Sequence, residues 1–430
     1  MTGLVGDCDC ETGGRRGNFK SMQRRWWASV IAGLVLGSVP SAWTQIDPTR
    51  REFIQAGYTQ PVEGSAPVAA YAYYFLNKPG FLEDSNVTLR LALAPVYLDS
   101  EVGFSHLLGP NTDVGIGLAG GGFADGYSEV QNGDYSKSES FYGHSGEISS
   151  SIYHLFNPGQ RIPFYGYLRG AVHGSVFADS EDTADDFVLP DDQLSYRVRT
   201  GFRWGGREPV MMPDLAMEVS AWYEGSFRSK PGVYGFDGDR ELNGDAHLTW
   251  GRALLTYTLP NLKHNFGFNV TGGTGWHLDR LSAYRIGGNL PLYSEFPLTL
   301  PGYYFQELSA RSFALFGGNY VVPIDPKQRW RVGVTVATAW ADYIPGLEYS
   351  HRWNTGVGGG VIYRSPSDAW QLAVMYGYGI DAVRDHGTGA QSVTFLLQWD
   401  LGRTISRFYD PSVDINRSRG LQGIMKTIFR

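Results

Sequence analysis

Cysteine is nearly absent from this 430-residue chain; the two present are Cys8 and Cys10. A Cys-x-Cys pair near one end is not a zinc spacing, so neither a thiolate metal centre nor a disulfide framework organises the rest. Charge is scarce as well. Asp, Glu, Lys and Arg make up 18% of the chain, below the roughly 25% of an ordinary soluble domain. The formal net charge of −7 gives no basic footprint for nucleic acid. Long apolar runs are missing too: the one candidate, residues 28–39, is shorter than the roughly 20 residues that carry a helix through a bilayer. No phosphate loop or dinucleotide fingerprint occurs. There is no G-x-S-x-G nucleophile elbow, and Gly143-His144-Ser145-Gly146 is only superficially like one.

What the chain has instead is 56 glycines, 26 tyrosines, 23 phenylalanines and 12 tryptophans, with a slightly negative mean hydropathy. A soluble protein so poor in charge needs a large aliphatic core, which that hydropathy does not indicate. A barrel with lipid outside and water inside accounts for both, because alternate residues answer to different solvents. Aromatic rings then gather at the two interfaces.

The apolar stretch 28–39 follows Arg24-Arg25 and ends in Pro40-Ser41-Ala42. A basic start, a short apolar run and small residues are the parts of a secretory signal. Cleavage is expected near Thr44, with Ala42 two residues before it. Residues 1–21 make an odd prefix to such a signal, and Met22 reads as its natural start. Residues 1–44 are therefore expected to be leader and signal peptide.

Beyond the leader, segments of period-two alternation are separated by Gly, Asn, Asp and Pro. In Trp330 to Trp340, Val332, Val334 and Val336 share one face with the two tryptophans, and Arg331, Thr335, Ala337 and Ala339 the other. Residues 86–98 and 391–401 repeat the pattern, with Tyr97 and Trp399 at the ends of their apolar faces. Fifteen strands are predicted, near 68–77, 86–98, 100–108, 112–123, 140–156, 161–177, 193–205, 214–228, 245–259, 263–278, 311–324, 329–343, 351–364, 369–381 and 390–402. Bacterial single-chain barrels have even strand numbers. The fold predicted is thus an all-β, antiparallel transmembrane barrel over 68–402, with 16 strands and 14 as the alternative. Residues 45–67, with Pro48, Pro61 and Pro67, read as a short N-terminal lead, and 403–430 as a C-terminal periplasmic extension. Tight connections at 157–160 and 260–262 alternate with long ones at 124–139, 178–192 and 229–244, as periplasmic turns alternate with external loops.

Inside the predicted barrel, alternation turns Arg197, Arg199 and Arg203 inward on one strand and Asp214, Glu218 and Glu224 inward on the next. Opposite charges on neighbouring strands form a ladder. It serves either as a charged constriction for small polar solutes or as an ion-paired brace across a closed lumen. The acidic runs at 179–192 and 237–245 offer carboxylates to a hard cation, but Leu242 stands where a calcium loop turns on glycine. They read as solvated loops. His144, His154 and His173 have polar neighbours in sequence without a catalytic pattern. No catalytic residue, metal ligand or cofactor is expected.

Residues 285–343 resemble the barrel of the BamA/TamA-type outer-membrane assembly and translocation superfamily, the "bacterial surface antigen" type. The resemblance is carried by Arg285-Ile286-Gly287-Gly288, by Leu300-Pro301-Gly302-Tyr303-Tyr304-Phe305-Gln306-Glu307-Leu308, and by Phe316-Gly317-Gly318-Asn319-Tyr320-Val321-Val322-Pro323-Ile324. It implies a long loop folding back into the lumen before five final strands, with Arg285, Gly287, Gly288, Pro301, Gly302 and Tyr303 as the loop motif. Two positions depart from the family. Pro301 replaces its loop arginine, and Thr338 stands where its partner acid is expected, so the loop must be held differently. The repeat (POTRA) domains that precede the barrel in the family's assembly factors have no room in the 23 residues between the signal and residue 68.

The function expected is a pore, or transport or insertion at the outer membrane, without catalysis. A plugged structural or surface-antigen barrel is the alternative, and an outer-membrane hydrolase a distant third. Such a barrel meets outer-membrane lipid and lipopolysaccharide, and the barrel assembly machinery during biogenesis. Its oligomeric state and solute are not legible.

Overall fold

A computed structural model describes residues 47–402, except 48, 68, 208, 209 and 386. The leader with its cleavage point and the extension 403–430 lie outside the described residues. The strands, in chain order, are β1 (Arg51–Pro61), β2 (Ala69–Pro79), β3 (Val87–Ala94), β4 (Tyr97–Phe104), β5 (Thr112–Gly121), β6 (Tyr127–Gln131), β7 (Asp134–Leu155), β8 (Phe164–Asp179), β9 (Gln193–Gly206) and β10 (Leu215–Arg228). Then come β11 (Gly232–Tyr234), β12 (Arg240–Leu242), β13 (Asp245–Thr258), β14 (Asn265–Trp276), β15 (Tyr284–Ile286), β16 (Leu308–Pro323), β17 (Trp330–Tyr343), β18 (Trp353–Arg364), β19 (Trp370–Arg384) and β20 (Gly387–Asp400).

Sixteen of these form one closed antiparallel barrel. Each pairs with its successor, and β1 closes the ring on β20 from Phe53↔Asp400 to Pro61↔Ser392. The other four belong to loops: β6 folds onto the extended start of β7, β11 pairs with β12, and β15 lies along β16. Closure leaves no unpaired sheet edge, which lipid could not satisfy. Both ends of the barrel sequence lie at one face, here called the terminal face. The long connections 122–133, 180–192, 229–244 and 277–307 all emerge at the opposite, loop face.

Alternation sorts side chains as the sequence predicts. Val332, Val334, Val336, Phe395 and Trp399 point out and are exposed, whereas Ala337, Ala339, Thr394 and Gln398 are buried inside. Two aromatic belts mark the interfaces. At the terminal face, Trp330 pairs with Tyr363 and Trp370 with Trp399, the rings of Trp330 and Tyr363 lying 4.7 Å apart. At the loop face, Trp340 pairs with Trp353. From Trp330 to Trp340 the strand rises about 33 Å. At a tilt of roughly 40° that is a height of about 25 Å, the apolar band of an outer-membrane barrel.

Three expectations are corrected. The lead 45–67 is not outside the barrel: it contains β1, the strand the sequence pattern missed, so the ring begins at Arg51. Its inward residues Phe53, Gln55, Gly57 and Thr59 mix apolar with polar, which blurs the period. Pro61 is at the strand end, where a missing N–H does least harm. Secondly, Tyr97 faces the lumen. Pro95 and Val96 make a two-residue turn between β3 and β4, so Tyr97 opens the next strand and does not close the previous one. Thirdly, the inside is not all water: Phe53, Tyr71, Tyr73 and Phe75 are buried there against the loop described below.

Val334 lies midway between the belts on the lipid side. Val334→Arg is expected to lower stability by about 2–4 kcal/mol, whereas Trp399→Arg at the interface costs about 0–1 kcal/mol. Urea titration of folding into bilayers measures both.

Candidate functional site

The candidate site is the lumen together with the loop that enters it. β9 and β10 pair with Arg199 opposite Glu224 and Arg203 opposite Ser220, one step along from Glu218. Arg199 donates to Glu224 at 2.6 Å, and Arg203 lies 3.6 Å from Glu218. Arg252 of β13 forks onto Glu218, Nε to Oε1 at 3.0 Å and Nη2 to Oε2 at 2.8 Å, a bidentate geometry suited to a buried pair. Arg197 reaches Glu147 of β7 at 3.7 Å and is one-third exposed. Asp214 is corrected: it sits in the terminal-face turn before β10, exposed, and takes no part in the ladder. It precedes the strand, so alternation does not govern where it points.

Sequence reasoning missed Glu295, the residue that makes the ladder hold the loop. Arg203 donates to the Glu295 carboxylate, and Arg252 donates to the Glu295 carbonyl at 2.5 Å. Phe296 beside it packs on Trp222 and Trp250, with the Arg252 guanidinium 4.4 Å from its ring centre. An ion pair between positions 92 apart in sequence leaves no periodic signal.

The loop runs through 277–307. Its root continues the barrel wall, with Arg285 opposite Ser309 where β15 pairs with β16. The Arg285 side chain donates to the Ser128 carbonyl at 2.6 Å and lies over the Tyr127 ring. Gly287 and Gly288 have positive φ, and a Cβ on Gly287 would strike the Tyr304 carbonyl. There the chain turns inward and doubles back, Leu300 N–H donating to the Gly288 carbonyl at 2.9 Å. Leu290, Tyr293 and Phe305 pack in the lumen with Phe53, Tyr71, Tyr73 and Phe75 from β1 and β2, and with residues of β16, β18, β19 and β20. On the other side, Glu295 and Phe296 reach β9, β10 and β13. The loop therefore spans the barrel.

The loop motif is seated by backbone proximity. Pro301 and Gly302 lie against the inner surface of β18 and β19, where the wall is glycine: a Cβ on Gly356 would strike the Pro301 carbonyl, and one on Gly302, φ +84°, would strike the Gly379 backbone. Tyr303 is buried beside them in an apolar cluster with Ala337, Ala339 and Ala382. Thr338 meets Thr355 at 3.2 Å and takes no part in holding the loop. An ion pair of the opposite sense closes the loop's end. Arg384 of β19 donates to both carboxylate oxygens of Glu307 at 2.8 and 3.0 Å, Tyr349 donates to the same carboxylate, and the guanidinium lies 3.6 Å from the Tyr304 ring centre. The carboxylate is on the loop and the arginine on the wall.

Two further closures flank the loop. At the terminal face, the 210–214 segment tucks Met211 and Met212 inward, and Met211 N–H donates to Gln398 at 2.7 Å. At the loop face, Tyr127, Phe141, Phe187, Tyr234 and Leu242 form an apolar cap, with Arg240 and Arg280 both on Glu129. Both acidic runs flank this cap. Between cap and loop remains a cavity of about 390 Å³, lined among others by Arg197, Arg199, Arg285, Glu147 and His173. His173 bonds Asp125 at 2.7 Å and Glu147 at 3.2 Å. Ser175 donates to Asp125 and not to the imidazole. His144 and His154 bond the Phe123 N–H and Thr112.

No family model matches the sequence, and no curated protein does. Solved structures do. CdiB from Acinetobacter baumannii superposes with a TM-score of 0.52 at 13% identity, over 82% of this chain and 60% of that one. BamA from Haemophilus ducreyi lacking POTRA domains 1–3 gives 0.51 at 12%, over 82% and 70%. CdiB from Escherichia coli gives 0.50 at 12%, over 80% and 62%. The fold is the one these CdiB and BamA barrels share. This chain spans about three fifths of the CdiB chains it matches. The five strands β16–β20 that follow the loop are those the resemblance implies.

Removing one partner of a buried ion pair strands the other. Glu218→Ala is expected to destabilise the barrel by about 3–5 kcal/mol, and Glu218→Leu with Arg252→Leu to recover most of that, read by urea titration. Gly302→Val, which cannot seat against Gly379, is expected to leave the strands intact and expose 288–306 to protease, read by mass spectrometry of the fragments.

Proposed function

We propose that this chain is an outer-membrane transport or insertion barrel, without catalysis, whose passage is kept shut at rest by its own loop. The observation that carries this reading is the packing of 288–307 across the lumen. The loop face then lies outward and the terminal face toward the periplasm, in keeping with long loops on one side and short turns on the other. The Arg197–Glu147 and Arg199–Glu224 pairs line the cavity a solute or segment meets from outside. These rim pairs are more hydrated than Arg252–Glu218 and more readily exchanged for a passenger's charges. Lipid, lipopolysaccharide and, during biogenesis, the assembly machinery are the partners this reading entails.

The second reading, a permanently plugged structural or surface-antigen barrel, is favoured by the apolar grip of Leu290, Tyr293 and Phe305. Gly288 and Leu300 are already bridged, so residues 289–299 can be deleted with little strain on the join. In planar bilayers the refolded wild type is expected to be silent at low voltage and the deletion variant to conduct steadily. Replacing Arg197 or Arg199 in the deletion variant then shifts its ion selectivity. Steady wild-type conductance would sink the shut-at-rest reading; a deletion variant that folds and stays silent would favour the plugged one.

A further inference from the structure

We propose that Asp245, His247 and His277 form a binding site for one divalent transition-metal ion at the outer root of the lumen loop. The sequence pattern singles out no metal ligand here, because the three residues come from the start of one strand and the turn after the next. Asp245 and His247 lie two apart at the start of β13 and so point to the same, outward face. Pairing sets His247 opposite Trp276, the last residue of β14, and His277 follows at once as the first residue of the loop. One ligand atom from each residue lies within 4.8 Å of the other two. His247 Nε2 and His277 Nδ1 are each 2.8 Å from the same oxygen, Asp245 Oδ2.

Several features point to an ion and not to a chance cluster. His277 holds a left-handed backbone, φ 54°, uncommon outside glycine and a form of strain that gathers at binding sites. Its carbonyl accepts from Asn243 Nδ2 at 3.0 Å, which keeps the turn in that conformation. Tyr223 Oη is 2.8 Å from His247 Nδ1, and the Trp276 ring stacks on the imidazole at 5.1 Å. Without an ion, Nε2–H donates to Asp245 and Tyr223 donates to Nδ1; with one bound, Nδ1–H would donate to Tyr223 and the Nε2 lone pair would face the ion, the arrangement of a metal-bound histidine with an outer hydrogen bond. Among the described residues, Asp245 has ion-pair contacts with the two imidazoles and with no lysine or arginine. Arg228, on the adjoining strand, is taken up by Asp279.

Two imidazoles and one carboxylate suit Zn²⁺, Ni²⁺ or Cu²⁺ over Ca²⁺ or Mg²⁺, which prefer all-oxygen shells. Around a tetrahedral zinc, ligand atoms stand about 3.3 Å apart. The present 2.8 Å contacts open to that value by side-chain rotation alone. A fourth position remains for water or an anionic oxygen. An ion there ties the start of β13 to the first residue of the lumen loop.

The test uses the refolded full chain, stripped with EDTA and titrated with ZnCl₂ by calorimetry. One ion per chain is expected, bound at least tenfold more weakly after Tyr223→Phe and not detectably after His247→Ala with His277→Ala. Circular dichroism verifies that each variant keeps its strands. X-ray absorption at the zinc edge of the wild type is expected to count two imidazoles, and it decides the matter if the double variant fails to fold. No Zn²⁺ uptake by the wild type, equal uptake by a folded double variant, a zinc edge without two imidazoles, or Ca²⁺ and Mg²⁺ binding as well as Zn²⁺ would each overturn the site.

Discussion

Hydrocarbon offers no partner for a backbone N–H or C=O, so a chain that crosses it in strands must return its last strand to its first. Here that return is the β1–β20 seam, supported inside by Gln55 on Gln398 and Thr59 on Thr394. Closure with sixteen strands fixes the diameter, and a ring of that size is too wide for its own wall side chains to fill. The interior must then hold water or more chain. Three segments occupy it: the Met211–Met212 turn below, the loop at mid-height, and the aromatic cap above. Each enters through a connection that the ring leaves free.

An interior filled with chain has a different electrostatic problem from one filled with water. A charge facing an aqueous lumen keeps its hydration, whereas one pressed against a plug needs a partner. The arginines follow that division. Arg252 and Arg203, against the loop, are engaged by Glu218 and Glu295. Arg197, against the cavity, keeps a looser contact and a third of its surface. The same alternation that turned these residues inward thus yields two environments, set by where the loop stops.

The parts of this architecture that obey a local period were legible in the sequence. Fifteen barrel strands could be read from alternation, because lipid imposes one solvent on every second residue. β1 was not, since Phe53 faces in where the loop supplies an apolar surface, and the period of two loses its contrast. Tyr97 was given the wrong face for a related reason: alternation carried across the Pro95–Val96 turn changes sides without changing pattern. Arg199 and Glu224 could be paired from neighbouring strands. Glu295 could not, because its place depends on a loop path that no local rule encodes. Asp214 was drawn into the ladder by counting one residue past the strand's end.

The loop's attachment shows how one constraint is met by different chemistry. A loop arginine paired with a wall acid would hold the tip by a buried charge pair, strong only when geometry is ideal and both ions are fully paired. This chain instead lets the tip approach the wall until backbones touch. That requires glycine on both sides, Gly302 on the loop and Gly356, Gly377 and Gly379 on the strands, and a proline to fix the turn. Dispersion at such contact is short-ranged and unaffected by salt. A glycine wall has a cost, since it weakens the strands that carry it, and it fixes position without fixing charge. Of the loop's ion pairs, Glu295 with Arg203 grips the far side, and Glu307 with Arg384 is set at the loop's end, where the chain rejoins β16 and its path is already constrained. Position is thus held at the Pro301–Gly302 motif by shape, and the far side and the exit are held by charge.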